Sequence, residues 1–202
     1  MADLNERDTK VVQYLSEAYG KEKELETSLE AHIAMTTKAP YKKRLQQHLR
    51  ETKAHARGLE RRIKKLGGGG QLTQTAVGKV MAVAKGPLHM VRGSGEQEKM
   101  LKNAKTEYFN EHEEIATYLA IETLAEKVGD RETAILAKGI RREEERMAKF
   151  LEGQIKSLSG AVVSEEVPSA QRKAASGSRR RAAPKRPAKA KRARKPARAS
   201  RR

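Results

Sequence analysis

Carboxylates recur where a helical seam calls for Leu. From Val11 the apolar positions run Val11, Leu15, Ala18, then Glu22, then Leu25 and Leu29, the alternating four-and-three spacing of one helix stripe. Near the other end, Ala137, Ile140, Glu144, Met147, Leu151 and Leu158 repeat the pattern. Between them, Ala104, Tyr108, Glu111, Ile115, Tyr118 and Glu122 share one face. An unpaired carboxylate in a core costs several kcal/mol. In a chain whose residues are 35% charged, any one such Glu can be a solvated edge. Several, spread over successive helices, imply a shared partner, and a metal cation is the simplest.

The seams give the architecture. Helices are predicted over residues 4–36, 40–66, 97–128 and 131–158. Pro40 suits a first helical turn, and Gly67–Gly70 and Gly129-Asp130 are stops. Short turns make helices one and two antiparallel neighbours, and likewise three and four. The crossover, 67–96, holds a short helical stretch around Val77–Ala84. A helix of 27 residues is about 40 Å long at about 1.5 Å per residue, so a connector of this length can run the bundle from end to end. The expected fold is therefore all-α: two antiparallel hairpins joined by a long crossover, the ferritin-like four-helix bundle, over residues 1–160. Glu22 to Glu51 is 29 residues and Glu114 to Glu144 is 30, as a duplicated hairpin would give. The core must be built from Leu, Ile, Val, Ala and Met, since aromatics are 3% and Trp is absent.

Charge separates this body from residues 161–202, which read as a disordered tail. Residues 171–202 carry 15 of the 44 Lys and Arg and none of the 26 Asp and Glu, leaving 29 against 26 in the rest. Arg179, Arg180, Arg181, Lys185, Arg186, Lys189, Lys191, Arg192, Arg194, Lys195, Arg198, Arg201 and Arg202, spaced by Ala and Pro, form a polycation resembling linker-histone tails. Its expected partner is DNA or another polyanion, held without sequence preference, because no aromatic is present to stack on bases. A merely solubilising tail is the plainer alternative. With no Cys there is no disulfide framework or thiolate chemistry. No signal peptide, bilayer-length apolar run or phosphate-binding loop is visible, so the expectation is a cytoplasmic protein, nucleoid-associated through its tail, without a membrane partner.

Three runs carry a resemblance. Ser16-Glu17-Ala18-Tyr19-Gly20-Lys21-Glu22-Lys23-Glu24-Leu25 looks like the opening helix of the YciE/YciF-type ferritin-like proteins. His48-Leu49-Arg50-Glu51-Thr52, with Leu59-Glu60 behind it, is similar to the second helix. Glu111-His112-Glu113-Glu114-Ile115-Ala116-Thr117-Tyr118, followed by Leu124-Ala125-Glu126-Lys127-Val128-Gly129, resembles the third, and the whole covers about residues 8–158.

The resemblance implies a bacterial, stress-associated protein with a carboxylate-rich site inside the bundle, for two iron ions or a manganese pair. The ligands it implies are Glu22, Glu51 and His55, Glu111 or Glu114, and Glu144. Carboxylate oxygens with one or two imidazoles suit hard or borderline divalent cations. The usual di-iron signature has a His three residues after the Glu in helices two and four. Ala54 and Met147 stand there instead, and His55 sits four residues on, so the site departs from the pattern. His48 and His112 are expected at the surface or behind a ligand, and Tyr19 and Tyr118 in the core. A weak ferroxidase-type or peroxide-consuming activity is compatible with such a centre, and so is a homodimer. The alternative is a non-enzymatic, nucleoid-associated DNA-coating protein whose bundle holds a relic site.

Overall fold

The computed structural model describes residues 5–69 and 95–172. Four long helices make up this part: α1 (Glu6–Met35), α2 (Ala39–Lys65), α3 (Glu96–Lys127) and α4 (Arg131–Glu166). No strand occurs among the described residues. The crossover and its short helix, expected over 67–96, fall mostly outside them, as does the tail beyond residue 172.

Local chemistry sets the helix ends. Asn5 caps α1 by accepting the Asp8 amide at 2.8 Å. Pro40 occupies the first turn of α2, where its missing N–H is harmless. Gly67 takes φ of 87° as α2 closes, and at Gly68 any Cβ would lie 2.6 Å from Val12. Between α3 and α4, Gly129 adopts φ of 73°, and the Asp130 amide returns to the Ala125 carbonyl at 2.8 Å. Asp130 then caps α4 through the Thr133 amide and takes the Arg62 guanidinium of α2 at 2.6 Å.

Each helix touches two main neighbours: α1 packs on α2 and α3, and α4 packs on α3 and α2. Paired residues give the directions. His32 and Glu22 of α1 meet Glu107 and Tyr118 of α3, so these two run antiparallel. Arg62 and His55 of α2 meet Glu132 and Glu143 of α4, again antiparallel. Hence α2 and α3 run parallel, and α3 begins at the end opposite to where α2 finishes. This is the ferritin-like arrangement of two hairpins.

Two differences from the sequence reading concern helix four and the phase of helix three. Helix α4 continues through Gly160 to Glu166 instead of stopping near residue 158. The glycine costs about 1 kcal/mol against Ala. Opposing this, Glu165 and Glu166 lie beside Gly95 at the N-terminus of α3, where the helix dipole favours negative charge. On α3 the buried stripe is Met100, Asn103, Ala104, Glu107, Glu111, Glu114, Tyr118 and Ile121. Tyr108 and Ile115 sit only at its margin. Glu122 is tied by Lys138 and Arg141 at 2.9 Å each, away from the centre.

The core falls into two apolar clusters. One gathers Val11, Val12, Leu15, Leu59, Ile63, Ile121 and Ile140. The other gathers Leu29, Leu45, Met100, Met147, Leu151 and Leu158. Along every helix the polar residues of the candidate site lie between the positions that build these clusters, so apolar layers close it off above and below. No described helix is long and apolar enough to cross a membrane.

Candidate metal centre

Four helices supply the side chains: Glu22 from α1, His48 and His55 from α2, Glu111 and Glu114 from α3, and Glu144 from α4. The two histidines are seven residues apart, two helical turns, so both face inward on the stripe Leu45, His48, Thr52, His55, Leu59. All six residues are at most 5% exposed.

Five of them form two groups that share one carboxylate. In the first, Glu22, His55 and Glu144 offer ligand atoms within 4.8 Å of one another, and in the second His48, Glu111 and Glu144 do the same. His55 Nδ1 lies 3.0 Å from Glu144 Oε1 and 3.4 Å from Glu22 Oε1. His48 Nε2 lies 2.9 Å from Glu111 Oε1 and 3.8 Å from Glu144 Oε2. The Tyr118 hydroxyl donates to Glu22 Oε1. Behind each imidazole stands an outer carboxylate: Glu143 Oε2 is 2.8 Å from His55 Nε2, and Glu51 Oε2 is 3.3 Å from His48 Nδ1. Glu51 is held in turn by Arg44 and Gln47, both at 2.9 Å. A carboxylate on one ring nitrogen keeps the proton there and leaves the other nitrogen free to face the centre.

Five of the six ligands implied by the resemblance are brought together: Glu22, His55, Glu111, Glu114 and Glu144. Glu51 is not among them. It turns to the half-buried edge and backs His48. His48, expected at the surface or behind a ligand, is 1% exposed and points inward. The signal for it was its seven-residue spacing from His55. His112 is exposed and bonds to the Tyr108 carbonyl of its own helix at 2.8 Å.

Protonation of these groups follows from burial and mutual charge. Burial raises Glu22, and Glu111 to about 8, against the pull of the imidazoles facing them. Burial also raises Glu114 strongly, and the neighbouring Glu22, Glu144 and Glu111 push it further. Glu144 differs: burial lifts it, but His55 and His48 together bring it below the usual range. Burial would lower both imidazoles, yet carboxylates win, taking His48 to about 10, chiefly through Glu111, and His55 to about 11, chiefly through Glu144. Glu51 is drawn down to about 2, first by its bond to His48.

The donor set fits a pair of divalent cations. Glu22 Oε2, Glu111 Oε2, both Glu144 oxygens and His55 Nδ1 are buried without a hydrogen-bond partner, although His55 and Glu144 are within reach of each other. Buried polar atoms are normally satisfied. Here ligand atoms converge on shared space without aligned hydrogen bonds between them, as suits a cation that displaces their protons on binding. Carboxylate oxygens with two imidazole nitrogens are ligands for Fe, Mn or Zn.

Over residues 8–163 the chain matches a family described as Domain of unknown function (DUF892). The chain belongs to this family. No curated protein matches the chain. Among solved structures, a protein from Xanthomonas campestris pv. campestris is 26% identical, with 80% of this chain and 99% of that one covered at a TM-score of 0.64. The E. coli stress protein YciF is 20% identical, with 79% and 99% covered at 0.57. A dodecameric thioferritin related to bacterioferritin, from Bacteroides fragilis, is 18% identical, with 78% and 90% covered at 0.61. This DUF892 chain thus has the ferritin-like fold that YciF and the thioferritin share, with groups inside its bundle that could hold metal.

Proposed function

We propose that this protein holds two divalent ions, iron or manganese, inside the bundle, and that its basic tail tethers it to DNA. The observation that carries the first part is the pair of ligand groups meeting at Glu144. One ion would take Glu22, His55 and Glu144, the other His48, Glu111 and Glu144, with Glu114 beside both. Bound there, the ions would supply Lewis-acid and one-electron redox chemistry. The chain's own residues prepare the place. Tyr118 orients Glu22, Glu143 and Glu51 fix the two imidazoles, and the flanking Leu, Ile and Met layers exclude water. The described stress protein among its structural neighbours supports a stress-associated role.

A metal that binds only the folded chain stabilises it by about 2.7 kcal/mol at a hundredfold excess over Kd. For a chain of this size that is a rise in melting temperature of roughly 5–10 °C for each ion. Chelator-stripped protein is therefore expected to melt higher with Fe²⁺ or Mn²⁺. A melting curve that no divalent ion moves would remove the metal reading. It would leave the DNA-coating protein with a relic site.

The tail is supported by its 15 basic residues and absence of acidic ones over residues 171–202. Each neutralised phosphate contributes about 0.9 to the slope of log affinity against log salt. If about half the charges engage, the slope should be on the order of −6 to −7. Removing residues 171–202 should collapse affinity and slope together; equal DNA binding without them would contradict the tether.

A further inference from the structure

A second polar layer lies beside the centre and has no part in it. Glu107 stands one turn before Glu111 on α3, about 6 Å along the axis at about 1.5 Å per residue. Its Oε1 meets His32 Nδ1 of α1, and both residues are essentially inaccessible, at 1% and 0% exposure. One turn further along the same face is Asn103, also fully buried. Among the described residues neither its amide nitrogen nor its amide oxygen has a hydrogen-bond partner, and the buried Tyr41 hydroxyl of α2 has none either. Burial, and after it the charges of Glu107 and Glu111, push the Tyr41 hydroxyl upward. The surroundings are apolar: Tyr41 packs with Leu29, Leu45, Met100 and Ala104.

Such a layer is expensive as it stands. The buried Asn103 amide and Tyr41 hydroxyl forgo the hydrogen bonds that water gives them in the unfolded chain. Leu at position 103 and Phe at position 41 would suit the surrounding apolar cluster. What the retained groups share is ligand chemistry: an imidazole nitrogen, a carboxylate oxygen, an amide oxygen and a phenol oxygen. That is a set for a hard or borderline divalent cation.

We propose that His32, Asn103 and Glu107, with Tyr41 at the side, form a third divalent-cation site, separate from the pair that shares Glu144. The site goes beyond the two-ion reading and does not depend on it, because none of its residues belongs to either ligand group.

The test is zinc content after equilibrium dialysis of the full-length, chelator-stripped chain against Zn²⁺. Glu107→Gln keeps the shape of the side chain and should hold one ion fewer than the wild type. Glu144→Leu should lose the shared pair and keep one ion, which Glu144→Leu with Glu107→Gln should lose. If Glu107→Gln fails to give the helical circular dichroism of the wild type, Asn103→Ala serves instead. It removes one donor and should weaken one ion at least tenfold while leaving the others unchanged. The proposal is overturned if these variants hold as much zinc, as tightly, as the wild type. That would mean the layer encloses water only. It is equally overturned if Glu144→Leu binds no zinc.

Discussion

The two halves of the candidate metal centre use the same parts held differently. Each has an imidazole from α2, a carboxylate of its own and a share in Glu144. On the Glu22 side, the carboxylate is fixed by Tyr118, and His55 presents Nδ1 while the more open Glu143 takes its Nε2. On the Glu111 side, no tyrosine among the described residues donates to the carboxylate, and His48 presents Nε2 while Glu51 takes its Nδ1. Glu51 is less exposed than Glu143, at 20% against 37% of its side chain, and is anchored by Arg44. One half is thus oriented through its carboxylate and the other through its histidine. Two ligand sets need not be built alike to bind like ions, provided each has one element that cannot rotate.

Breaking the shared residue should have the largest effect. Glu144→Leu removes a ligand from both halves and should abolish the part of the metal-induced rise in melting temperature that the shared pair supplies, roughly 10–20 °C at a hundredfold excess over Kd, leaving only what the site at Glu107 contributes. Differential scanning calorimetry with and without Mn²⁺ measures it. A rise as large as that of the wild type would mean that the halves do not meet at Glu144.

Removing the metal leaves a site stabilised by protons, and pH then acts on it. Glu111 titrates near 8 in the folded chain against 4.5 for an unperturbed Glu, and Glu22 and Glu114 are also raised. The folded state therefore binds more protons than the unfolded one above pH 4.5, and stability falls as pH rises from there. His48 and His55, raised to about 10 and 11 from 6.5, act in the same sense above pH 6.5. Each proton of difference contributes a slope of about 1.4 kcal/mol per pH unit. Glu51 and Glu144, both lowered, oppose this only toward acid, losing their contribution as pH falls below 4.5. Metal-free protein should unfold more easily in urea at pH 8 than at pH 6. The gain from metal should grow over the same interval, since ligands must shed protons to bind. Metal-free stability that climbs from pH 6 to 8 would contradict these protonation states.

Single-side changes separate the halves. Glu22→Leu and Glu111→Leu should each remove one ion of the shared pair. Glu22→Leu should in addition strand the Tyr118 hydroxyl, at about 1–3 kcal/mol, and Tyr118→Phe in the same chain should recover most of that loss. Thermal melts of the metal-free forms give the comparison. No recovery would show that Tyr118 is not held by Glu22.

The smallest effects belong to the outer carboxylates. Loss of a group that orients a ligating His typically lowers metal affinity by about 10–100-fold. Glu51→Gln should lie toward the upper end, because Glu51 is more enclosed and anchored, and Glu143→Gln toward the lower. Competition with a chelator of known affinity ranks them. The reverse order would undo the assignment of the two orienting elements.

The bundle was legible because seam spacing and short turns are direct consequences of helix geometry. The site was legible only where a carboxylate stood among apolar residues, as Glu22 and Glu144 do. On α2, His48 and Glu51 are three residues apart and share a face, so either could point inward. The choice depends on a rotation of the helix by less than one residue, which packing against α3 and α4 decides. The expected Glu-then-His order selected Glu51, whereas this helix has His before Glu. On α3 the aromatic and aliphatic margin of Tyr108 and Ile115 drew the seam away from Glu107 and Asn103. A polar core layer has no hydropathy signature of its own, and it becomes visible only when burial is known.

The central claim is that two ions share Glu144. Its most direct test is the metal content per chain of full-length wild type and Glu144→Leu, purified in parallel without chelators and saturated with Mn²⁺. The account predicts two ions fewer in the variant at unchanged helical content; equal metal content in the two proteins would contradict it.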